Sequence, residues 1–295
     1  MNRLLVPVFA PGFFTSGPVH TALAVGTAVA IVCGAVGVFA VVRGQSFAAE
    51  TLSDVGAAGG SVSFLVGLAP LWGFLAAGAG AATVMELIGI QRPRGRDLAA
   101  GIVLGASLGL AALFLYLVAT YHGTSGATIG VLFGSLFAVD PSAIPAVVAL
   151  SVVSAGLVGL LQRPLLLSSL SPDLAHARGI SVRFVGAIYL LALAVSVALA
   201  ALTIGAILGT ALLIGPAATA LRLTRHPGRA MLLSGAIGVL AVWAGVVLSY
   251  DSYLWPPRGR GWPVSFFVVA SVLVFYVGSA VFARSRHGRR SAGRS

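Results

Sequence analysis

Residues 19–43 read VHTALAVGTAVAIVCGAVGVFAVVR, an apolar run that ends at an arginine. An α-helix rises about 1.5 Å per residue, so a run of roughly 20 apolar residues crosses a hydrocarbon core about 30 Å thick. Arg43 marks the edge of this core, because a guanidinium group is better solvated among lipid headgroups than among acyl chains. The stretch predicts a transmembrane helix.

Apolar runs of this kind recur along the whole chain. Of its 295 residues, 58% are hydrophobic and 8% are charged, and the mean hydropathy is +1.03, whereas soluble domains carry about 25% charged residues. We predict an all-α, polytopic membrane protein that forms a single domain over 1–295, with about nine transmembrane helices in a range of about eight to ten. The predicted spans are 19–42, 51–70, 72–90, 98–120, 142–161, 183–202, 204–223, 230–250 and 262–283.

The charge distribution predicts the orientation of these helices. The formal net charge is +11, there is no lysine, and the arginines cluster in short segments between the apolar runs. This is the positive-inside pattern of membrane proteins and not the continuous basic face of a nucleic-acid-binding protein. It predicts a cytoplasmic location for Arg43, for the loops at 92–96, 163–183 and 222–229, and for residues 284–295, which we expect to form a disordered tail.

Two segments interrupt the series of spans. Residues 124–142, TSGATIGVLFGSLFAVDPS, are apolar but short and broken by glycine, so they predict an interfacial or re-entrant helix on the outer side. The second segment, RPLLLSSLSPDLAHARGISVR, lies on the predicted cytoplasmic side. In it Ser171 is a natural N-cap, Asp173 favours the positive end of a helix, and Gly179 suits a left-handed stop. We predict a short, capped helix there, which is a candidate docking surface.

Glu50 and Asp54 are four residues apart in an otherwise apolar segment, AAETLSDVGAAGG. Spacing of four residues places both carboxylates on one face of a helix. Counted from Arg43, they lie roughly 10 Å and 16 Å into the membrane, where a carboxylate is unfavourable unless it faces a polar cavity or partner. One interpretation is a solvated first helical turn. The other is a divalent-cation site, because two hard oxygen donors converge on one path.

The remaining polar signals are weaker. Pro216, in LLIGPAATALRL, predicts a kink that frees a backbone carbonyl, either as a structural bend or as part of the lining of a pathway. Glu86 is expected to reach the interface or to pair with a neighbouring arginine. The sequence has no P-loop or HExxH motif, so the energy supply must come from another chain.

Five stretches together resemble the permease subunits of zinc and manganese ABC importers across nearly the whole chain. They are VVRGQSFAAETLSDVGAAGGSVSF, RDLAAGIVLGASLGLAAL, LFGSLFAVDPS, SPDLAHARGISV and IGAILGTALLIGPAATALRLT. The family usually has Asp-Ala-Leu-Ser-His where this chain has Glu50 to Asp54. The resemblance therefore puts Glu50 at the family's metal-binding aspartate and Asp54 at its histidine. Replacing imidazole by carboxylate hardens the site and puts zinc selectivity in question.

The same resemblance implies the partners. The stretch SPDLAHARGI is similar to the segment that meets the ATPase. The coupling residues implied are Ser171, Pro172, Asp173, Leu174, Ala175 and Gly179. The resemblance further implies a homodimer in a bacterial plasma membrane, with a separate cytoplasmic ATP-binding subunit and an external metal-binding protein. The chain would transport zinc or manganese, hold no permanent cofactor and bind no nucleic acid.

Two other functions stay open from the sequence. A secondary transporter or channel driven by an ion gradient would need intramembrane relay groups, for which only Glu50 and Asp54 are available. An accessory membrane subunit with a decayed metal site is the third reading, because the family's histidine is absent. Co-purification of a stoichiometric ATPase separates the importer from the secondary transporter or channel, and absence of the ATPase favours the alternatives.

Overall fold

The structure is a computed structural model that describes residues 12–88, 96–122, 130–134, 136–255 and 261–292. Within these ranges the regular elements are all helical. The helices are α1 (Gly17–Val42), α2 (Ser46–Val66), α3 (Pro70–Ile88), α4 (Arg96–His122), α5 (Ile144–Leu160), α6 (Gln162–Leu170), α7 (Pro172–Ala177), α8 (Val182–Ile204), α9 (Ala206–Leu223), α10 (Pro227–Asp251) and α11 (Val264–Ala292). Short 3-10 turns lie at Phe13–Thr15, Leu136–Ala138, Pro141–Ala143 and Ser252–Leu254.

The helices confirm the prediction of an all-α, polytopic membrane protein. In the described part of the chain, nine helices have 17 residues or more, and each overlaps one predicted span. Seven of the described helical stretches are long and apolar enough to cross a membrane. Helices α2 and α3 are not among those seven, and α2 is the helix that carries both Glu50 and Asp54.

The corner between α1 and α2, residues 43–45, is a tight turn that hydrogen bonds hold in place. The Gly44 N–H donates to the Val41 carbonyl at 3.1 Å, and the Gln45 N–H donates to the Ala40 carbonyl at 2.8 Å. Gly44 has a φ of 62°, the left-handed conformation that this helix stop requires. We call residues 43–45 the α1–α2 corner.

The bundle has an inner and an outer set of helices. Helix α1 packs against α10, α9, α5 and α8, and α8 also packs against α3, α9 and α2. In the most apolar part of both α1 and α8, 72% of the residues are buried. The corresponding share is 22% in α4 and 22% in the span that contains α5. Helices α1 and α8 therefore form the centre of the protomer.

The segment predicted as a re-entrant helix forms short turns in its described residues, which are a helical turn at 130–133 and two 3-10 turns. Gly134 packs directly on Gly205, at the junction of α8 and α9. A Cβ on Gly134 would lie 2.4 Å from the Gly205 nitrogen, and φ is 70° and 102° at the two glycines. Glycine at both positions allows this segment to cover the α8–α9 junction.

The C-terminal helix α11 continues to Ala292, so its backbone is helical well into residues 284–295. Residues 293–295 lie outside the described part of the chain. The division into a single domain with a disordered cytoplasmic tail stays a prediction.

Candidate functional site

Helix α2 holds the two acidic residues on one buried face. Glu50 is half-buried, and Asp54, one turn further along, is 4% exposed. The helix packs against α3, α4, α8 and α9, so it has protein on several sides. This burial does not fit a solvated first turn, because Asp54 is the ninth residue of the helix and is enclosed by its neighbours.

Helix α2 packs closely against its neighbours through small residues. A Cβ on Gly59 would lie 2.4 Å from the Gly73 carbonyl oxygen, so α2 and α3 approach at a distance that only glycine permits. On another face, the Ser53 Oγ donates a hydrogen bond to the Ala206 carbonyl at 2.8 Å. This bond ties α2 to the first residue of α9, next to the buried Gly205 junction.

The acidic pair is a limited ligand set for a metal ion. Within the described residues, no group of three or more His, Cys, Asp or Glu side chains converges. Two carboxylates supply up to four hard oxygen donors, whereas a divalent cation such as Mn²⁺ prefers a larger oxygen shell. Water, backbone carbonyls or a second protomer must complete such a shell. The assignment of Glu50 and Asp54 as metal ligands stays a prediction.

The predicted capped helix is present as α7. The Ser171 Oγ accepts a hydrogen bond from the Leu174 N–H at 3.5 Å, and Pro172 is the first residue of the helix. At the other end Gly179 has a φ of 74°, and the Ile180 N–H donates to the Ala175 carbonyl at 2.9 Å. The cap and the left-handed stop are confirmed.

The two faces of α7 differ in exposure. Leu174 is 57% exposed and Asp173 is also exposed, whereas Ala175 is fully buried against the bundle. An exposed leucine beside an acid at the end of a membrane bundle is suited to a protein partner. That α7 meets an ATPase stays a prediction.

Pro216 lies inside α9 and is buried. It has no N–H to donate, so the carbonyl four residues earlier loses its usual helical partner. The nearby Thr219 Oγ1 donates to the Gly215 carbonyl at 2.8 Å. A place for Pro216 in the transport pathway stays a prediction.

One polar cluster at the predicted cytoplasmic end was missed by the sequence analysis. Arg43, which the sequence identified only as a membrane-edge residue, contacts Ser168, Ser169 and Tyr189. Glu86, expected to pair with a neighbouring arginine, acts electrostatically on Arg43. The serines lie 125 and 126 residues after Arg43, so no local pattern could have found them.

Comparison with known proteins places this architecture among transport proteins. The model of the ABC 3 transport family matches residues 18–278. The manganese import system permease protein ScaB of Streptococcus parasanguinis is 30% identical over 238 residues, which are 81% of this chain and 82% of that protein. The manganese transport system membrane protein MntC of Listeria innocua is 29% identical over 177 residues, or 60% of this chain. This match spans 62% of the Listeria protein, less than two thirds of its length.

A solved structure has the same fold. The chain superimposes on PsaBC from Streptococcus pneumoniae, solved in complex with a Fab, with a TM-score of 0.77 and 25% sequence identity. The superposition covers 91% of this chain and 92% of the solved chain. The similarity therefore extends over nearly the whole bundle and is not confined to a few helices.

Proposed function

This chain belongs to the ABC 3 transport family, and from that premise we propose that it is the membrane-spanning permease subunit of an ATP-driven importer for a divalent transition-metal ion. It is a multi-pass membrane protein of bacterial type. The permease performs no bond chemistry itself. It offers the ion a path, and a separate ATP-binding subunit supplies the energy.

The acidic pair in α2 is the observation that carries this proposal. Asp54 is buried in a bundle of apolar helices, and Glu50 lies one turn away on the same face. A buried and a half-buried carboxylate one turn apart repel each other and are poorly solvated, so the pair is unfavourable unless a cation binds there. A transient divalent cation would neutralise both charges at once. We infer that Glu50 and Asp54 bind the ion during its passage.

Manganese is the substrate that the donor atoms favour. Carboxylate oxygens are hard ligands, which suit Mn²⁺, whereas imidazole and thiolate shift a site towards zinc. The relatives ScaB and MntC are both named for manganese. Zinc is the second candidate, because geometry and metal supply also determine which ion a site of this kind binds.

The proposed assembly has three kinds of partner. Two copies of the chain form a homodimer, two ATP-binding subunits bind at α7 through Ser171–Gly179, and an external solute-binding protein delivers the metal. ATP binding closes the two ATPases and pushes on α7, which changes access to Glu50 and Asp54. No permanently bound cofactor is needed.

Metal uptake by cells that carry single substitutions tests this function. We expect Glu50→Gln and Asp54→Asn each to lower manganese uptake by about tenfold or more, because each removes a ligand charge but keeps size and polarity. Asp54→His should retain uptake and shift it towards zinc, since it restores a softer ligand. The matched control is Asp140→Asn. Asp140 is an exposed acid outside the bundle, and its side chain accepts a capping hydrogen bond from the Ser142 N–H. Asparagine can accept the same hydrogen bond.

The same cells separate the alternatives. If both charge-neutral variants import manganese at the parental rate while the complex is intact, the acidic pair is not the ion site. If uptake persists after ATP depletion and no ATPase co-purifies, a gradient-driven transporter or channel is the better description. If an ATPase co-purifies but the parental complex imports no metal, the chain is an accessory subunit.

A further inference from the structure

Arg43 makes contacts that a membrane-edge arginine does not need. Its Nη1 donates hydrogen bonds to the Ser168 Oγ at 3.1 Å and to the Ser169 Oγ at 3.3 Å, both in α6. Its guanidinium carbon lies 5.3 Å from the centre of the Tyr189 ring, in α8. Arg43 itself ends α1. A single side chain therefore joins the end of α1 to the helices on either side of α7.

We propose that Arg43 is a positioning residue that links the coupling segment, residues 162–179, to the α1–α2 corner and through it to Glu50 and Asp54. The proposal rests on the proposed function, because it takes the ATPase as the source of motion at α7. It identifies a direct side-chain connection between the docking helix region and the helix corner that leads to the ion site.

The two serines are oriented to accept from Arg43. The Ser168 Oγ donates to the Leu165 carbonyl at 3.0 Å, and the Ser169 Oγ donates to the same carbonyl. Each hydroxyl has one proton to give, so the lone pairs of both are left to face the guanidinium. A charged donor shared between two such acceptors makes a directional contact that is stronger than a neutral hydrogen bond.

Tyr189 gives Arg43 a fixed surface on the other flank. The Tyr189 OH donates to the Val36 carbonyl in α1 at 3.3 Å, and its ring packs edge-on against Phe39 with centroids 6.4 Å apart. Both contacts are buried, and they hold the ring against α1. The guanidinium therefore lies between a fixed aromatic ring and the serines of the coupling segment, where a cation–π contact is favourable.

The α1–α2 corner can transmit a displacement of Arg43 to the acidic pair. Gly44 and Gln45 are held by hydrogen bonds to the last turn of α1, and the Ala49 N–H donates to the Gln45 carbonyl at 3.0 Å. The corner therefore passes directly into the first turn of α2. Glu50 is the fifth residue of α2, about 6 Å of helical rise from the start of that helix. A shift or rotation of this corner would move Glu50 with it.

Stability alone does not account for Arg43. Its Nε is buried and has no hydrogen-bond partner within the described residues. Burial lowers the pKa of the Arg43 guanidinium, an effect that Tyr189 and Glu86 partly oppose. A partly satisfied buried charge is often no more stabilising than an apolar side chain of similar volume. The position of Arg43 is better explained by the three helices that it connects.

Hydrogen exchange of the purified permease tests the connection without any transport. The variants are Arg43→Met, which keeps length and removes charge, and the double change Ser168→Ala with Ser169→Ala, which keeps Arg43. We expect both to raise exchange by about threefold or more in residues 44–50 and in residues 166–178. Unchanged exchange at 44–50 in both variants would overturn the proposal.

Arg222 provides a matched control for the loss of a cation–π arginine. It lies in the last turn of α9, with its guanidinium carbon 4.1 Å from the centre of the Tyr276 ring, and it donates to the Tyr276 OH. Arg222→Met removes the same kind of contact at the same end of the bundle, but between α9 and α11 and without a bond to Ser168, Ser169 or Tyr189. We expect it to leave exchange at residues 44–50 and 166–178 at the parental level.

The complete transporter tests whether the connection is used. In vesicles that contain the permease and its ATPase, we expect Arg43→Met and the double serine variant each to lower the manganese imported per ATP hydrolysed by about threefold to tenfold. The amount of bound ATPase should stay unchanged. The triple variant should be no worse than Arg43→Met, because the residues act through one contact.

The outcomes separate this proposal from the proposed function. If Arg43→Met and the double serine variant both import as much manganese per ATP hydrolysed as the parental transporter, Arg43 does not link α7 to the ion site, even if hydrogen exchange at residues 44–50 rises. A parental complex that binds no ATPase and imports no metal overturns the proposed function and with it the role of Arg43 in coupling. Exchange then still reports whether Arg43 joins the two segments. A loss of yield in Arg43→Met alone, with the serine variant normal in both assays, indicates a purely structural arginine.

Discussion

Helices α1 and α4 look alike in sequence and differ completely in position. The most apolar parts of the two helices have mean hydropathies of 2.5 and 2.4, yet 72% of that part is buried in α1, against 22% in α4. In water such a difference would appear as a polar face on the outer helix. In a bilayer it does not, because acyl chains are as apolar as a protein core. Hydropathy therefore identifies membrane helices without telling which of them are central.

The contacts of glycine distinguish the two helices. In α1, a Cβ on Gly34 would lie 2.5 Å from the Gly235 nitrogen, and one on Gly37 would lie 2.0 Å from the Leu213 carbonyl oxygen. In α4, a Cβ on Gly105 or Gly109 would meet nothing within 4 Å inside the protomer. Backbone-to-backbone approach holds the inner helices together, as expected where van der Waals packing replaces the hydrophobic effect.

The largest expected effect on stability comes from adding a side chain at one of these closely packed glycines. Gly37→Leu should destabilise the permease by about 3 kcal/mol or more, because its first side-chain atom would overlap the α9 backbone. The matched change Gly105→Leu in α4 should stay within about 1 kcal/mol. Unfolding in mixed micelles measures both. Equal losses of unfolding free energy in the two variants would contradict the distinction between inner and outer helices.

A smaller effect is expected from shortening leucines in the two regions. Leu193 in α8 is 0% exposed, and Leu110 in α4 is 49% exposed. Leu193→Ala should cost about 2–4 kcal/mol, because it leaves a cavity that the packed helices cannot close. Leu110→Ala should cost less than about 1 kcal/mol, since lipid chains fill the space. The difference in unfolding free energy between these variants would sharpen the comparison, and its absence would contradict it.

The smallest expected effect concerns single hydrogen bonds. The Trp243 Nε1 in α10 donates to the Thr27 Oγ1 in α1 at 2.9 Å. Within the part of the chain that the structure describes, the Thr120 Oγ1 in α4 donates to the Tyr116 carbonyl of its own helix. Thr27→Val should cost about 0.6 kcal/mol, the average for interhelical bonds in membranes. Thr120→Val should be close to neutral. If Thr120→Val lowers the unfolding free energy as much as Thr27→Val does, hydrogen bonds between helices stabilise this protein no more than bonds within one helix.

Local signals in the candidate site were predictable and long-range ones were not. Ser171 and Gly179 mark the two ends of α7, and they could be found because capping depends on a few adjacent residues. The common face of Glu50 and Asp54 follows from helical geometry. The contact of Ser53 with the Ala206 carbonyl, and those of Arg43 with α6 and α8, join residues far apart in the chain. No periodicity encodes such pairs.

The sequence by itself determined that this is a helical membrane protein, where its long helices lie and which of them carries the acidic pair. Those properties follow from the length and polarity of each segment, because every backbone group in a membrane must be satisfied within its own helix. Only the tertiary structure decided that α1 and α8 are central, that Asp54 is enclosed and that Arg43 connects three helices. Helices of equal hydropathy compete for the same positions in lipid, and complementary packing of small residues, which no single segment contains, selects among them.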